Sequence, residues 1–121
     1  MSVKLLASIV SAAGLILGQQ MREGNLDVRF EPTAKMQTGA PIPFNIVVRD
    51  ALKKPFINAQ VTLQIEKPDH SSVNVYPAPQ LDRGTYLAKP VFPSPGTWEV
   101  IVDVRRGNQE TGRTVEFHVP E

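Results

Sequence analysis

Residues 81–104 constrain the fold of this 121-residue chain more than any other stretch. Turn-forming residues at 82–84 and at 93–96 each precede a run in which apolar and polar residues alternate. In the second run the apolar face carries Trp98, Val100, Val102 and Val104, and this period of two is typical of a half-buried strand. The stretch predicts two consecutive strands, with Trp98, the only tryptophan, at the centre of the core.

The same alternation continues along the rest of the chain after residue 25. Seven predicted strands, named A to G, cover residues 26–30, 42–49, 58–66, 72–76, 86–92, 98–105 and 113–119. Eleven prolines favour turns over helices, which proline interrupts. The sequence therefore predicts an all-β fold, a seven-stranded immunoglobulin-like β-sandwich.

The first 25 residues have the layout of a secretory signal. A short basic start with Lys4 precedes an apolar run over residues 5–18, and residues 19–25 are polar. Because a membrane-spanning helix needs about 20 apolar residues, a cleaved signal is favoured, and an uncleaved anchor helix is the alternative. We expect a signal peptide or anchor at 1–18, a linker at 19–25 and the sandwich at 26–121. The expected location is extracytoplasmic, either periplasmic or secreted, with membrane attachment in the alternative case.

Charge and motifs exclude several function classes. The formal net charge is +1 at pH 7, and loss of Lys4 with the signal removes it, which argues against nucleic-acid binding. The chain has no cysteine, hence no disulfide or thiolate site. Asp69, His70 and Ser71 are the residue types of a hydrolase triad, but adjacent side chains in a turn point apart. No other catalytic or cofactor motif is present, so the sequence indicates a protein that is not an enzyme.

One short motif resembles a known structural device. Asp82-x-Gly84-x-Tyr86 resembles the tyrosine corner of immunoglobulin domains, in which the phenol bonds nearby backbone, although here two strands follow the motif instead of one. The longer pattern is similar to the ends of filamin-type repeats and to YtkA-like and FixH-like exported bacterial domains: Gly84-x-Tyr86, Pro93-x-x-Gly96-x-Trp98-x-Val100-x-Val102 and Phe117-x-Val119. The resemblance implies structural roles for Asp82, Gly84, Tyr86, Gly96 and Trp98.

The resemblance also suggests two classes of function. YtkA-like domains are small extracytoplasmic modules without a common activity, and FixH-like proteins are linked to oxidase assembly and to cation or copper handling. It implies a non-catalytic binding module with a protein partner in the cell envelope, accessory to an envelope or membrane complex. A copper-handling or oxidase-assembly accessory is the alternative. FixH-like members keep a full transmembrane helix, which the short apolar run here does not match.

The predicted strand directions bring different chemistries to the two ends of the sandwich. The A–B, C–D and E–F loops and the end of strand G would gather Met36, His70 and His118 at one end. A thioether and two imidazoles suit copper, so these residues are a candidate copper site. The alternative is three unconnected surface residues, with no cofactor.

The opposite end would collect the cations of the B–C, D–E and F–G loops, which are Lys53, Lys54, Arg83, Arg105 and Arg106. It would also receive the chain from the N-terminal segment, because strand A starts there. This end is a candidate docking surface for an acidic partner or for anionic lipid headgroups. The alternative is that these charges serve only solubility.

Overall fold

The computed structural model describes residues 26–121. They form eight strands and no helix: β1 (Asp27–Pro32), β2 (Phe44–Arg49), β3 (Gln60–Glu66), β4 (Val73–Pro77), β5 (Gln80–Asp82), β6 (Thr85–Ala88), β7 (Gly96–Arg106) and β8 (Gln109–Val119). Within these residues there is thus no helix long and apolar enough to cross a membrane. The predicted signal or anchor (1–18) and the linker (19–25) lie outside the described residues.

The strands pair into two antiparallel four-stranded sheets. Sheet one has the order β1-β2-β6-β5 and sheet two the order β4-β3-β7-β8. Alternate residues of both sheets form one shared hydrophobic core. The predicted all-β sandwich is confirmed, whereas the prediction of seven strands is wrong, because β5 is an additional strand between the predicted strands D and E.

The additional strand offers no alternation to read. β5 is three residues long, and its pairing with β6 shifts register, since Gln80 lies opposite Tyr86 and Asp82 opposite Thr85. Leu81 is left without a partner, as the extra residue of a β-bulge. Three residues interrupted by a bulge cannot show a period of two.

Two strand boundaries also differ from the prediction. β6 ends at Ala88, four residues before the end of predicted strand E, because Pro90 has no N–H to continue the ladder. β8 begins at Gln109, four residues before predicted strand G, because the β7–β8 hairpin continues its ladder as far as Arg106 opposite Gln109. Backbone pairing extends β8 where the sequence has few apolar side chains.

Trp98 is fully buried between the sheets. Its indole N–H donates a hydrogen bond to the Ser94 carbonyl at 2.9 Å, and its ring meets Phe92 edge-on with 5.7 Å between centroids. The Lys67 ammonium lies 5.1 Å from the centre of the same ring. The indole therefore has its polar atom satisfied and its faces packed, as a buried tryptophan requires.

The register gives the two ends of the sandwich different sets of connections. At one end lie the β2–β3, β5–β6 and β7–β8 connections, which we call the cationic end. Asp27, opposite Arg49, brings the chain from residue 26 into the same end. The β1–β2, β3–β4 and β6–β7 connections lie at the other end, which we call the histidine end.

Candidate functional site

A tight turn forms the tip of the β2–β3 connection. The Asp50 carboxylate accepts hydrogen bonds from the backbone N–H groups of Leu52 and Lys54, at 2.9 and 3.0 Å. Backbone bonds between Asp50 and Lys54 and between Lys53 and Asp50 close the same turn. Leu52 stands at its tip with 76% of its surface exposed. The turn therefore holds an apolar side chain in solvent, directly before Lys53.

The β5–β6 turn packs directly against this connection. Gly84 has a φ of +72°, and a Cβ built on it would lie 2.8 Å from the Pro55 Cβ. The Val48 N–H donates to the Gly84 carbonyl at 2.9 Å. Just before the turn, the bulged Leu81 is 64% exposed. The close approach joins the two connections.

The third connection is joined to the first by Arg106. Its guanidinium lies 3.8 Å from the centre of the Phe56 ring and donates to the Ile57 carbonyl at 2.8 Å. From inside the core, the Tyr86 hydroxyl donates to the Phe56 carbonyl at 2.7 Å and accepts from the Ala59 N–H at 3.0 Å. All three connections of the cationic end are thus fixed to one another.

Within the described part of the chain, four of the five predicted cations have no carboxylate partner, although the Arg106 guanidinium is engaged with Phe56 and the Ile57 carbonyl. Among the described residues, no carboxylate lies within salt-bridge distance of Lys53, Lys54, Arg83 or Arg106. Arg105 differs, since it contacts Asp103 at 3.5 Å and Glu110 at 3.4 Å on the outer face of sheet two. The carboxylates of Asp50 and Asp82 accept backbone N–H groups in their own turns.

Asp103 has an unusual environment beside Arg105. Burial raises the pKa of its carboxyl to about 7, and the charge and hydrogen bond of Glu110 add to the effect, while Arg105 opposes it. Gly112 lies opposite Asp103 on β8 and has no side chain to contribute. Asp103 and Glu110 therefore compete for the guanidinium of Arg105.

A shallow groove of about 540 Å³ runs along the outer face of β1 and β2 to the cationic end. It is lined by Asp27, Arg29, Phe30, Glu31, Asn45, Val47, Arg49 and Lys53. Arg29 donates to the Asp27 carboxylate at 3.1 Å, so one cation of the groove is neutralised in place. With both signs of charge along its length, the groove does not select a ligand of one charge.

At the histidine end, the three predicted copper ligands each have a different setting. The His70 imidazole bonds the Glu66 carboxylate, a contact that raises the pKa of His70. His118 lies opposite Thr97 and is exposed, whereas Met36 packs against the hydrophobic core. Within residues 26–121, no three histidine, cysteine, aspartate or glutamate side chains are arranged to hold a metal ion. The copper site stays a prediction, testable by Cu(I) and Cu(II) titration of His70→Ala and His118→Ala variants.

The five residues assigned structural roles lie at turns and in the core. Asp82 and Gly84 form the β5–β6 turn, and Tyr86 and Trp98 are fully buried. Gly96, with a φ of +116°, opens β7, and a Cβ there would lie 3.2 Å from the Lys67 ammonium. The Tyr86 phenol bonds backbone 27 and 30 residues upstream, in the β2–β3 connection, and not within its own turn.

Sequence reasoning did not single out the two exposed leucines. Ala51 and Leu52 interrupt a run of charged residues at 49–54, and this apolar pair in a charged turn was the available signal. Leu81 has no such signal, because all three residues of the short edge strand β5 are exposed and show no alternation.

Two solved structures share this fold. A DUF4785 family protein from Legionella pneumophila aligns with a TM-score of 0.57 at 14% identity, over 79% of this chain and 28% of that one. A DUF4426 family protein from Pseudomonas aeruginosa aligns with a TM-score of 0.53 at 20% identity, over 83% of this chain and 94% of that one. At these identities the likeness shows the fold alone. No protein-family model and no curated protein matches the sequence.

Proposed function

We propose that this protein is a non-catalytic, extracytoplasmic interaction module that docks on a component of the cell envelope through its cationic end. One observation carries the proposal: three connections, braced against one another, present four cations with no carboxylate partner among the described residues. A rigid surface loses little conformational entropy on binding, and unpaired cations attract and orient an acidic partner.

The strand order supports the finer assignment to the immunoglobulin-like class. The letters used here are those of the strands in immunoglobulin domains. One sheet has the order A-B-E-D in those domains, and β1, β2, β6 and β5 take these positions here. The other sheet has the order C-F-G, and β3, β7 and β8 take these positions. β4 adds to the second sheet beside β3, as strand C′ does in variable domains. Sandwiches of this class commonly bind through the loops at one end, which is the use proposed here.

The path of the chain supports a location close to a membrane. The described part begins at the cationic end, where Leu26 precedes β1, so residues 1–25 join the domain at this end. Their apolar run has the composition of a secretory signal or an anchor. If the apolar run stays uncleaved as an anchor after export, the cationic end would lie beside the membrane. The YtkA-like and FixH-like resemblance supports the same location and remains part of the proposal.

Photo-crosslinking in living cells tests the proposed docking surface. A photoreactive residue at Leu52 or Arg83 of the full-length chain should yield adducts, and one at Thr38 or Ser94, at the histidine end, should not. The variant Lys53→Gln/Lys54→Gln should lose the adduct from position 83. The matched variant Lys35→Gln/Lys89→Gln, which removes two exposed lysines from the other end, should keep it. Adducts formed equally from both ends would contradict the proposal.

A further inference from the structure

The apolar side chains of the cationic end are its least expected feature. Leu52 and Leu81 are 76% and 64% exposed. Leu52 stands on the β2–β3 connection and Leu81 on β5, and the turn that follows β5 touches that connection through Gly84 and Pro55. An exposed leucine on a flexible loop can bury its side chain against the surface of its own domain. Leu52 cannot do so easily, because hydrogen bonds to the Asp50 carboxylate and within the turn fix its backbone. Its exposure is a property of the turn.

Cations neighbour both leucines in the sequence. Lys53 and Lys54 directly follow Leu52, and Arg83 lies two residues after Leu81. A protruding apolar tip with lysines at its base matches the layers of a bilayer surface, since the tip enters the acyl boundary while the cations meet the headgroup phosphates. Each lysine near an anionic surface strengthens binding by about fivefold.

From this arrangement we infer that the docking partner is a lipid surface with anionic headgroups. The inference rests on the proposed function and names its partner. Leu52 enters the interface, and Lys53, Lys54 and Arg83 contact phosphate groups. A protein partner is favoured less, because protein hot spots are typically aromatic or arginine anchors seated in pockets. Leu52 projects from its turn, and a bilayer accepts a projection without a matching cavity.

Leu26, to which residues 1–25 are joined in the sequence, lies at the same end. If the apolar run at 5–18 is held at a bilayer, the seven residues of the linker keep the cationic end close to that bilayer. The affinity required of the loops is then small, because attachment through the chain raises their effective concentration at the surface. Weak contacts from one leucine tip and a few cations are sufficient under that condition.

A fluorescent probe on Leu52 tests the inference in the full-length protein. The chain has no cysteine, so Leu52→Cys accepts one environment-sensitive label at a single site. Residues 5–18 are apolar, and the whole chain can bind bilayers through them alone. The readout is therefore the emission of the probe and not binding. On vesicles of equal parts phosphatidylcholine and phosphatidylglycerol we expect a blue shift, and on phosphatidylcholine vesicles none.

Two matched controls separate a specific contact from general adsorption. A label at Gln37→Cys, exposed at the histidine end, should keep its aqueous emission on both kinds of vesicle. Lys53→Gln/Lys54→Gln should raise the lipid concentration needed for the Leu52 shift by about 25-fold, at fivefold for each lysine. Lys35→Gln/Lys89→Gln should leave it unchanged.

The lipid inference is overturned if the label at position 52 keeps its aqueous emission on anionic vesicles, or if its emission shifts equally on neutral vesicles. The crosslinking experiment then tests whether the proposed interaction module still holds. Protein adducts from position 83 would keep the interaction module with an acidic protein as its partner. The absence of any adduct from the cationic end would remove both proposals together.

Discussion

At the residue scale, Tyr86 does more than fill the core. Its hydroxyl is buried and serves both the Phe56 carbonyl and the Ala59 N–H. Removing the hydroxyl leaves the buried Phe56 carbonyl and the partly buried Ala59 N–H without this partner, and an unpaired buried group costs more than the hydrogen bond itself contributes. Tyr86 therefore links the core of the sandwich to the connection that carries Leu52.

We predict that Tyr86→Phe lowers the free energy of unfolding by about 1–3 kcal/mol, as expected when a buried hydrogen-bonding group is orphaned. The matched control is Tyr76→Phe, whose hydroxyl makes two longer bonds with Val91, both at 3.3 Å, in a partly buried position. That change should cost less. Urea denaturation measures both, and equal losses in the two variants would show that the Tyr86 hydroxyl has no special role.

At the element scale, Gly84 sets the contact between the β5–β6 turn and the β2–β3 connection. Its left-handed conformation is unfavourable for residues with a Cβ, and here the Cβ would also strike Pro55 and the Val48 carbonyl oxygen, at 2.8 and 3.1 Å. Gly107, in the β7–β8 turn, has a similar φ of +60° with open space around it. The two glycines separate the conformational cost from the steric one.

We predict that Gly107→Ala destabilises the protein by about 1 kcal/mol, the cost of the left-handed conformation alone. Gly84→Ala should lose about 1–3 kcal/mol more, because backbone and proline atoms have to move. Thermal or denaturant unfolding of the two variants gives the comparison. If the loss is the same in both, the close packing of the two connections makes no contribution to stability.

The outer face of sheet two yields a pH-dependent prediction. The pKa of Asp103 is about 7 in the folded protein, above its ordinary value of 3.8. Between these values the folded chain holds a proton that the unfolded chain has released, so stability decreases as pH rises toward 7. Above 7 the ionised carboxylate of Asp103 opposes folding. Asp103→Asn removes the ionisation and keeps the shape of the side chain.

We therefore expect Asp103→Asn to have a higher urea midpoint than the parent protein at about pH 8.5, with an advantage that shrinks as the pH falls to about 5. Glu116→Gln, which removes an exposed carboxylate from β8, is the control and should show no comparable trend. An advantage of Asp103→Asn that does not vary with pH would argue against the raised pKa.

The elements also show what sequence could and could not predict. Strands with clean alternation, such as β3 and β7, lie where the pattern placed them, because their side chains alone decide which face is buried. β5 was not predicted, because its three residues are defined by pairing with β6 across a bulge and not by alternation. In the candidate site, the grouping of cations follows from strand direction alone. The exposure of Leu52 and the pairing of Arg105 with Asp103 depend on tertiary neighbours that no local pattern specifies.

At the scale of the whole molecule, the two sheets are held together along the side where β1 and β8 meet. Arg113 on β8 donates to the Val28 carbonyl on β1 at 2.7 Å, so one side chain bridges the edges of both sheets. Just inside this side, the rings of Phe30, Phe44 and Phe117 contact one another, with centroids 5.4 to 6.5 Å apart. β1 therefore contributes both a hydrogen bond and an aromatic ring to the contact between the two sheets.

The last prediction concerns how much of the chain the fold requires. The buried hydrophobic residues of the described part extend from Leu26 to Val119, so residues 19–121 contain all of them. We predict that removing residues 1–18 leaves the urea midpoint and its slope unchanged, because every core residue of the described part remains in the shortened chain. Removing residues 1–28 is the matched test, since it deletes two buried side chains and the carbonyl that Arg113 binds. That chain should lose several kcal/mol, given about 1.5–3 kcal/mol for each buried aliphatic side chain. A lowered midpoint for residues 19–121 would mean that the first 18 residues contribute to the stability of the sandwich.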